Sequence, residues 1–369
     1  MEKIVVKIES DKNYKIEKNL SFILEKGVPL IDVRSPGEFK KGAFPSSCNL
    51  PILNNKERDL VGLTYKNEGR KAAETLGYKL VSGNIKKMRV HSWKQFIKIN
   101  SGAQLYCLRG GMRSSITSKW LKEIGINIPV IAGGYKALRS TCLETLESVK
   151  NDQRRWFILG GQTGAGKTKI ISSIPFSIDL EYLSNHRGSA FGGHQSSQPT
   201  SINFENSLAI TYLQHNHKIL VLEDESRGIG KITLPETWYQ KMQTSELIIL
   251  SVSMEQRIEN IFHEYIKKPL EKGIHPESLK TNLKESLFKI KKRLGRENYI
   301  SIYRGIEDAF YTTQSEYHKS WIYDLLNKYY DPMYLYQLKQ KSKRCILEGD
   351  RTEIKEFLIE RSNMLNREY

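Results

Sequence analysis

The chain has 369 residues, 39% hydrophobic and 27% charged, and 58 Lys and Arg outweigh 41 Asp and Glu to give a formal net charge of +17. That length exceeds one average core and calls for two or three domains. No run of about 18 apolar residues offers a spanning helix, and the N-terminus MEKIVVKIES lacks the apolar stretch of a secretory signal. A soluble, cytoplasmic protein is expected.

Four scattered cysteines, Cys48, Cys107, Cys142 and Cys345, form no CxxC pair, which argues against a zinc ribbon or a disulfide framework. The close pair His215 and His217 reads as alternation along one strand face rather than a metal site. The charge is uneven. Residues 1–150 hold 27 Lys and Arg against 14 Asp and Glu (+13), residues 151–250 hold 9 against 9, and the remainder 22 against 18 (+4). A basic field of this kind attracts polyanions, nucleic acid foremost.

In chain order, residues 4–8 read as a strand and residues 20–25 as a short amphipathic helix. Residues 28–33 form an apolar run that ends at Asp32, Arg34 and the Ser35-Pro36-Gly37 turn, which predicts a buried strand followed by a loop through Gly42, Pro45 and Pro51. Residues 54–80 are helical, with Leu60, Leu63, Ala72, Ala73 and Leu76 as apolar positions and Gly69 and Gly77 splitting the run into two helices. A second buried strand is expected at 103–108, a helix at 113–124 with Ile116, Trp120 and Leu121 on one face, and a third strand at 128–132 closed by Gly133-Gly134. This alternation argues a small parallel α/β domain over residues 1–138, and residues 139–152 read as a connecting helix.

A P-loop unit follows, with its core at 153–255. Residues 156–159 are a strand, residues 161–168 fit G-x-x-x-x-G-K-[ST], and a helix is expected from Lys169. Gly161, Gly164 and Gly166 let backbone amides face a phosphate, Lys167 adds a point charge, and Thr168 is the metal-facing hydroxyl of the motif. Residues 218–222 form a strand ending in Glu223, Asp224 and Glu225, where an acid could hold Mg²⁺ with Thr168; three adjacent acids equally suit a solvated strand end. Another apolar strand is expected at 247–252, and no NKxD-type sequence follows to support a GTPase. Between these strands, HRGSAFGGHQ offers His186, Arg187, Gly188 and Ser189 as a substrate-facing loop with Phe191 its one large apolar residue. Residues 256–369 read as helical and basic, with KIKKRLGR at 289–296 either a solvated helix face or a grip on phosphates.

The reactive candidate is Cys107, at the carboxyl end of a predicted strand, where open α/β sheets place their ligand sites. With Arg109, Gly110, Gly111 and Arg113 it gives the spacing C-x5-R, shared by phosphatases that form phosphocysteine and, with small length differences, by rhodanese-type sulfur carriers. Amides and guanidinium charge around a thiol favour thiolate and can hold a tetrahedral oxyanion against it.

DVRSPGEF, GAFPSSCNLPI, YCLRGGMRS and the stretch before GGYKAL resemble a rhodanese domain. Joined to LVGLTYKNEGRKAAETLGYKLVSG, GQTGAGKT, LSNHRGSAFG and LEDESRGIG, they resemble the tRNA 2-selenouridine synthase family over nearly all of residues 15–260. The resemblance implies a rhodanese-like domain fused to a P-loop domain, acting as a transferase on 2-thiouridine at the tRNA wobble position. It implies two co-substrates: geranyl diphosphate alkylates the sulfur, and selenophosphate then replaces the S-geranyl group by selenium. Cys107 matches the family's essential cysteine, and Gly161, Gly166, Lys167 and Thr168 match the element expected to hold a diphosphate. Cys48 stands where the family carries a small apolar residue before Asn-Leu-Pro, so no role carries over to it. An ATP-dependent tRNA sulfurtransferase, a P-loop kinase fused to a rhodanese domain, and a non-catalytic tRNA-binding protein stay open as other readings.

Overall fold

The computed structural model describes residues 14–193, 196–312 and 314–367; the strand expected at 4–8 lies outside them. Two compact units result, the first ending at Ser148 but adding Thr200–Gln214, the second made of Val149–Pro199 and the chain from His215 onward. Among the described residues no helix is long and apolar enough to cross a membrane.

In the first unit, α1 (Tyr14–Glu25) leads into β1 (Leu30–Asp32), α2 (Pro36–Lys41), β2 (Ser47–Asn49), α3 (Asn55–Leu80), α4 (Gly83–Ile99), β3 (Gln104–Tyr106), α5 (Met112–Lys122) and α6 (Gly134–Ser148). Three parallel strands take the order β2-β1-β3, with Ile31 level with Cys48 on one side and Leu105 on the other. All three β1 residues are buried, which is why this strand reads as a continuous apolar run. β2 falls in what the sequence presents as a loop, because only three residues separate its turn signals.

The strand expected at 128–132 is reduced to one bridge, Leu105 to Val130. Leu105 donates to Pro129 O and Ile131 donates to Leu105 O, but Pro129 has no N–H to continue the ladder, and the chain turns at Gly133-Gly134. α3 kinks at Gly69, whose φ of 83° breaks the helix where the glycines predict it. Its stripe is only partly buried: Ala73 is inside, whereas Leu60 and Leu63 are 51% and 58% exposed. The space they would fill belongs to α4, whose Trp93 is fully buried, stacks on Trp120 and donates from Nε1 to Leu50 O at 2.8 Å.

The segment Thr200–Gln214 interrupts the span read as the P-loop core and packs instead with α1 and α6. Asn203 Oδ1 accepts from the Ala43 amide at 2.7 Å, and Asn206 Nδ2 donates to Ala43 O at 2.8 Å. Near this seam sits the buried pair at the end of β1. Arg34 donates from Nε and Nη2 to Asp32 Oδ2 at 2.9 and 2.6 Å and from Nη2 to Gly42 O at 2.7 Å, with its guanidinium 3.8 Å from the Tyr135 ring centre.

The second unit opens with β4 (Arg155–Gly161), α7 (Lys167–Ile171), β5 (Ser177–Ile178) and α8 (Leu180–Ser184). After the segment lent to the first unit, whose helix is α9 (Ser201–Gln214), come β6 (Ile219–Glu223), a short β7–β8 hairpin (Gly228–Ile229, Ile232–Thr233), α10 (Glu236–Thr244) and β9 (Glu246–Leu250). α7 starts at Lys167, two residues before the expected Lys169, and has five residues; Pro175 follows and the chain turns into β5. The five-stranded sheet is parallel, ordered β10-β9-β4-β6-β5. Its edge strand β10 (Cys345–Gly349) lies in a region that reads as helical; its alternating burial is that of a strand, but it is only five residues long between helices. The rest of the C-terminal region is helical as expected, with α11 (Met254–Phe262), α12 (Lys268–Glu271), α13 (Pro276–Leu294), α14 (Arg296–Thr312), α15 (Ser315–Leu325), α16 (Asp331–Lys341) and α17 (Arg351–Arg367). π-helical turns at His263–Lys267 and Leu326–Tyr330 interrupt the bundle.

Asp32→Asn removes the carboxylate paired with the buried Arg34 guanidinium, and an uncompensated buried charge costs about 3–5 kcal/mol. The expected outcome, read by chemical denaturation, is a loss of that order for the first unit; a loss under about 1 kcal/mol would show the pair to be dispensable.

Candidate functional site

Each unit carries one candidate anion site. In the first, Cys107 lies one residue beyond β3 and opens the loop that ends at α5. The loop is held by its neighbour: Tyr135 and Lys136, at the start of α6, donate to the Cys107 and Leu108 carbonyls at 2.8 and 3.1 Å. This requires a glycine at 134, where φ is 57° and a Cβ would fall on the Cys107 carbonyl oxygen.

The thiol is nearly covered, at 3% exposure for the residue. Sγ lies 3.3 Å from Ser114 Oγ, which is also 2.8 Å from Gly111 O, so its single proton is donated to the carbonyl or, once the thiol ionises, to the sulfur. Burial opposes ionisation of Cys107, but the Ser114 hydroxyl, the Arg109 and Ser114 backbone and the Arg113 charge outweigh it, and the pKa falls below that of an ordinary thiol. The contrast with the other cysteines is direct. Burial raises Cys48, on β2, and pushes Cys142, inside α6, up to about 12.

Arg113 does not point freely at the thiol. Its guanidinium is clamped by Glu38 at 2.6 and 3.1 Å. Burial works against the Glu38 carboxylate, but Arg113 and the Ser35 backbone and hydroxyl bring it down to about 2. In the sequence Glu38 looks only like the closing residue of the Ser35 capping box, which it also is, so its second task is invisible there. Arg109 is exposed. Cys107, Arg109 and Arg113 all line one cavity of about 690 Å³.

In the second unit, β4 pairs with β6 so that Leu159 is level with Glu223, and this register carries the acid to the base of the P-loop. Thr168 Oγ1 lies 3.2 Å from both Glu223 Oε1 and Glu181 Oε2, while Lys167 Nζ donates to Gly161 O at 3.0 Å. The loop is braced from α11: Arg257 donates from Nε to Thr163 O at 2.9 Å and grips Asp331 with both terminal nitrogens, and Asn260 donates to Gly164 O at 2.9 Å. A Cβ at Gly164, where φ is 85°, would meet Ile261 and the Arg257 carbonyl.

Of the three adjacent acids, Glu223 faces Thr168, Asp224 is paired with Lys341 at 2.7 Å, and Glu225 turns toward Gly188. Burial first, then the Glu181 charge, raises Glu225 to about 8 despite Lys167. Glu223 is raised well above the usual carboxylate range by burial and by its neighbours Glu181, Asp179 and Glu225, and its Oε2 is buried without a hydrogen-bond partner. Glu181 and Asp179 are contributors that sequence reasoning missed, since they belong to a short helix, α8, with no motif around it.

A cleft of about 1,210 Å³ joins the P-loop to Arg187, Gly188 and Ser189 of the glycine-rich loop. His186 stays outside its lining; its Nδ1 is buried without a partner, and burial, with Lys289 and Arg187 nearby, lowers its pKa. Gly193 closes the loop by a bridge to His186, and the expected His194-Gln195 end lies outside the described residues. From α13, Lys289, Ile290, Lys292 and Arg293 line the cleft, while Leu287 and Leu294 are buried. Three charges of the basic run thus border the cleft while staying exposed.

A family model described as the tRNA 2-selenouridine synthase AAA domain matches residues 154–364. The chain is 43% identical over 346 residues to a tRNA 2-selenouridine synthase of Shewanella denitrificans, covering 90% of this chain and 94% of that protein. Proteins of the same name from Cupriavidus pinatubonensis and Hahella chejuensis are 42% and 40% identical, each across 91% of this chain and across 96% and 92% of their own lengths.

Two outcomes follow from the charges described. Ser114→Ala removes the hydroxyl beside the thiol, so the pH midpoint for alkylation of Cys107 by iodoacetamide should rise; an unchanged midpoint would place the stabilisation elsewhere. Because Glu225 binds its proton more tightly folded than unfolded, its penalty is absent below pH about 4.5 and grows up to about 8. The fall in melting temperature of the second unit between pH 5 and pH 8 should therefore shrink in Glu225→Gln, and calorimetry at the two pH values measures it.

Proposed function

The chain belongs to the tRNA 2-selenouridine synthase family, a family of tRNA-modifying transferases, and from that premise we propose how its two anion sites share the reaction. The observation that carries the proposal is the pairing, in one chain, of a depressed-pKa thiol in a C-x5-R loop with a P-loop that faces a wide basic cleft. The P-loop binds the diphosphate of geranyl diphosphate. The 2-thiouridine sulfur attacks C1 of the prenyl group, the C–O bond breaks, diphosphate leaves, and the nucleoside loses its N3 proton. Alkylation converts the sulfur into a thiol-type leaving group. At the Cys107 loop, selenium from selenophosphate then forms a bond to C2 as the C2–S bond breaks and geranylthiol departs; water takes the phosphoryl group. Amides of the loop, Arg109 and Arg113 suit a tetrahedral selenophosphate oxyanion. The rhodanese-like reading of the first unit accords with its parallel three-stranded sheet and with the place of Cys107 after β3.

Among the described residues no group of three or more His, Cys, Asp or Glu could hold a metal ion by itself. The P-loop residues do fit Mg²⁺ entering with a diphosphate, since Thr168 and the unpartnered Glu223 Oε2 are hard oxygen donors and Mg²⁺ takes one or two protein oxygens plus phosphate. Such an ion would neutralise diphosphate charge. The tRNA backbone is matched by the excess of Lys and Arg in residues 1–150.

Nucleoside mass spectrometry on tRNA incubated with each co-substrate separately tests this division. Cys107→Ser should abolish 2-selenouridine formation by at least about a hundredfold while S-geranyl-2-thiouridine still forms, and Lys167→Ala should lose the geranyl product instead. Loss of geranylation in the cysteine variant would overturn the assignment.

A further inference from the structure

The cavity over Cys107 is larger and more apolar than a selenium-bearing oxyanion requires. Its volume of about 690 Å³ is that of a small-molecule pocket. A tetrahedral anion occupies only the loop itself, where Cys107, Arg109 and Arg113 meet. Beyond the loop the walls are mostly apolar: Ile52 and Leu53 follow β2, Val61 and Ala73 come from the two arms of the kinked α3, and Ile116 and Trp120 come from α5, with Arg70 and Glu74 of α3 as the charged exceptions. The kink matters here. Gly69 bends α3 between Val61 and Ala73, so both arms reach the same cavity.

We propose that this apolar part of the cavity is a binding site for the prenyl chain of the S-alkylated nucleoside, distinct from the place where geranyl diphosphate is bound. The inference rests on the two-step reading above and deepens it. When selenium adds at C2, the atom that leaves is the sulfur carrying the chain, so the chain lies beside the selenium donor at that moment. An apolar wall adjoining the anion loop gives the chain a dry place to lie and selects the alkylated nucleoside over the free thiocarbonyl. Burial of a ten-carbon chain discriminates far more strongly than burial of two carbons, because each methylene adds to the difference.

The test uses full-length enzyme, selenophosphate and tRNA carrying preformed S-geranyl- or S-ethyl-2-thiouridine, with kcat/KM for 2-selenouridine formation measured on each. The wild-type ratio should favour S-geranyl at least about tenfold. Ile116→Trp, which fills the cavity from α5, should lower that ratio about tenfold or more; Val61→Trp fills it from α3 and gives the same readout should the first variant fail to fold. A wild-type ratio near one, or a ratio unchanged in folded variants, overturns the inference while leaving the two-step reaction standing. No selenouridine from either tRNA with wild-type enzyme overturns the reaction and the inference together.

Discussion

A thiolate held away from water persists only if hydrogen bonds and positive charge offset the solvation it has lost, and the first unit is arranged around that requirement. Ser114 and the loop backbone approach the sulfur directly. Arg113 contributes its charge from a position fixed by Glu38, so the cation is oriented before any substrate arrives. Around this group the sheet is small, three strands of three residues each, and its rigidity comes from side chains rather than from ladder length. Asp32 and Arg34 fasten the end of β1, and the amides that begin α6 fasten the reactive loop. The result is a preorganised anion site on a minimal scaffold.

The second unit meets an opposite problem. Glu181, Glu223 and Glu225 gather around one lysine, and burial first, then the charge of neighbouring acids, raises all three above the ordinary glutamate value. A diphosphate entering such a site as a bare anion would meet carboxyl groups, which is why a cation travelling with it and the lysines and arginine of α13 matter to the reading. The P-loop itself is braced from outside by Arg257 and Asn260, both on α11. Substitutions there would reach the phosphate site without touching phosphate.

Much of the site was legible because its chemistry is local. The C-x5-R loop, the P-loop and the glycine-rich loop each span ten residues or fewer, and the side chains that serve them stand at fixed offsets. What escaped was assembled from a distance. Glu38 meets Arg113 across 75 positions, Glu181 and Glu223 meet over Thr168 from separate elements, and Asn203 and Asn206 serve Ala43 from about 160 positions away. Short strands escaped for another reason. Periodicity needs several residues to register, and β2 and β5 offer three and two. The failed strand at 128–132 shows the converse, since its apolar run was real but Pro129 could not carry the hydrogen bonds.

The two sites also constrain each other through pH. The surroundings of Cys107 favour its charged form at lower pH than for a free thiol, so in the proposed reaction the selenium step would weaken as the solution becomes acidic enough to protonate it. Glu225 carries a proton up to about pH 8, and above that its charge adds to the acids around Lys167 and would oppose the proposed diphosphate binding. One limb of the profile therefore belongs to the first unit and the other to the second. In the proposed two-step reaction each effect should be separable from the other, because the groups that set it lie in different units.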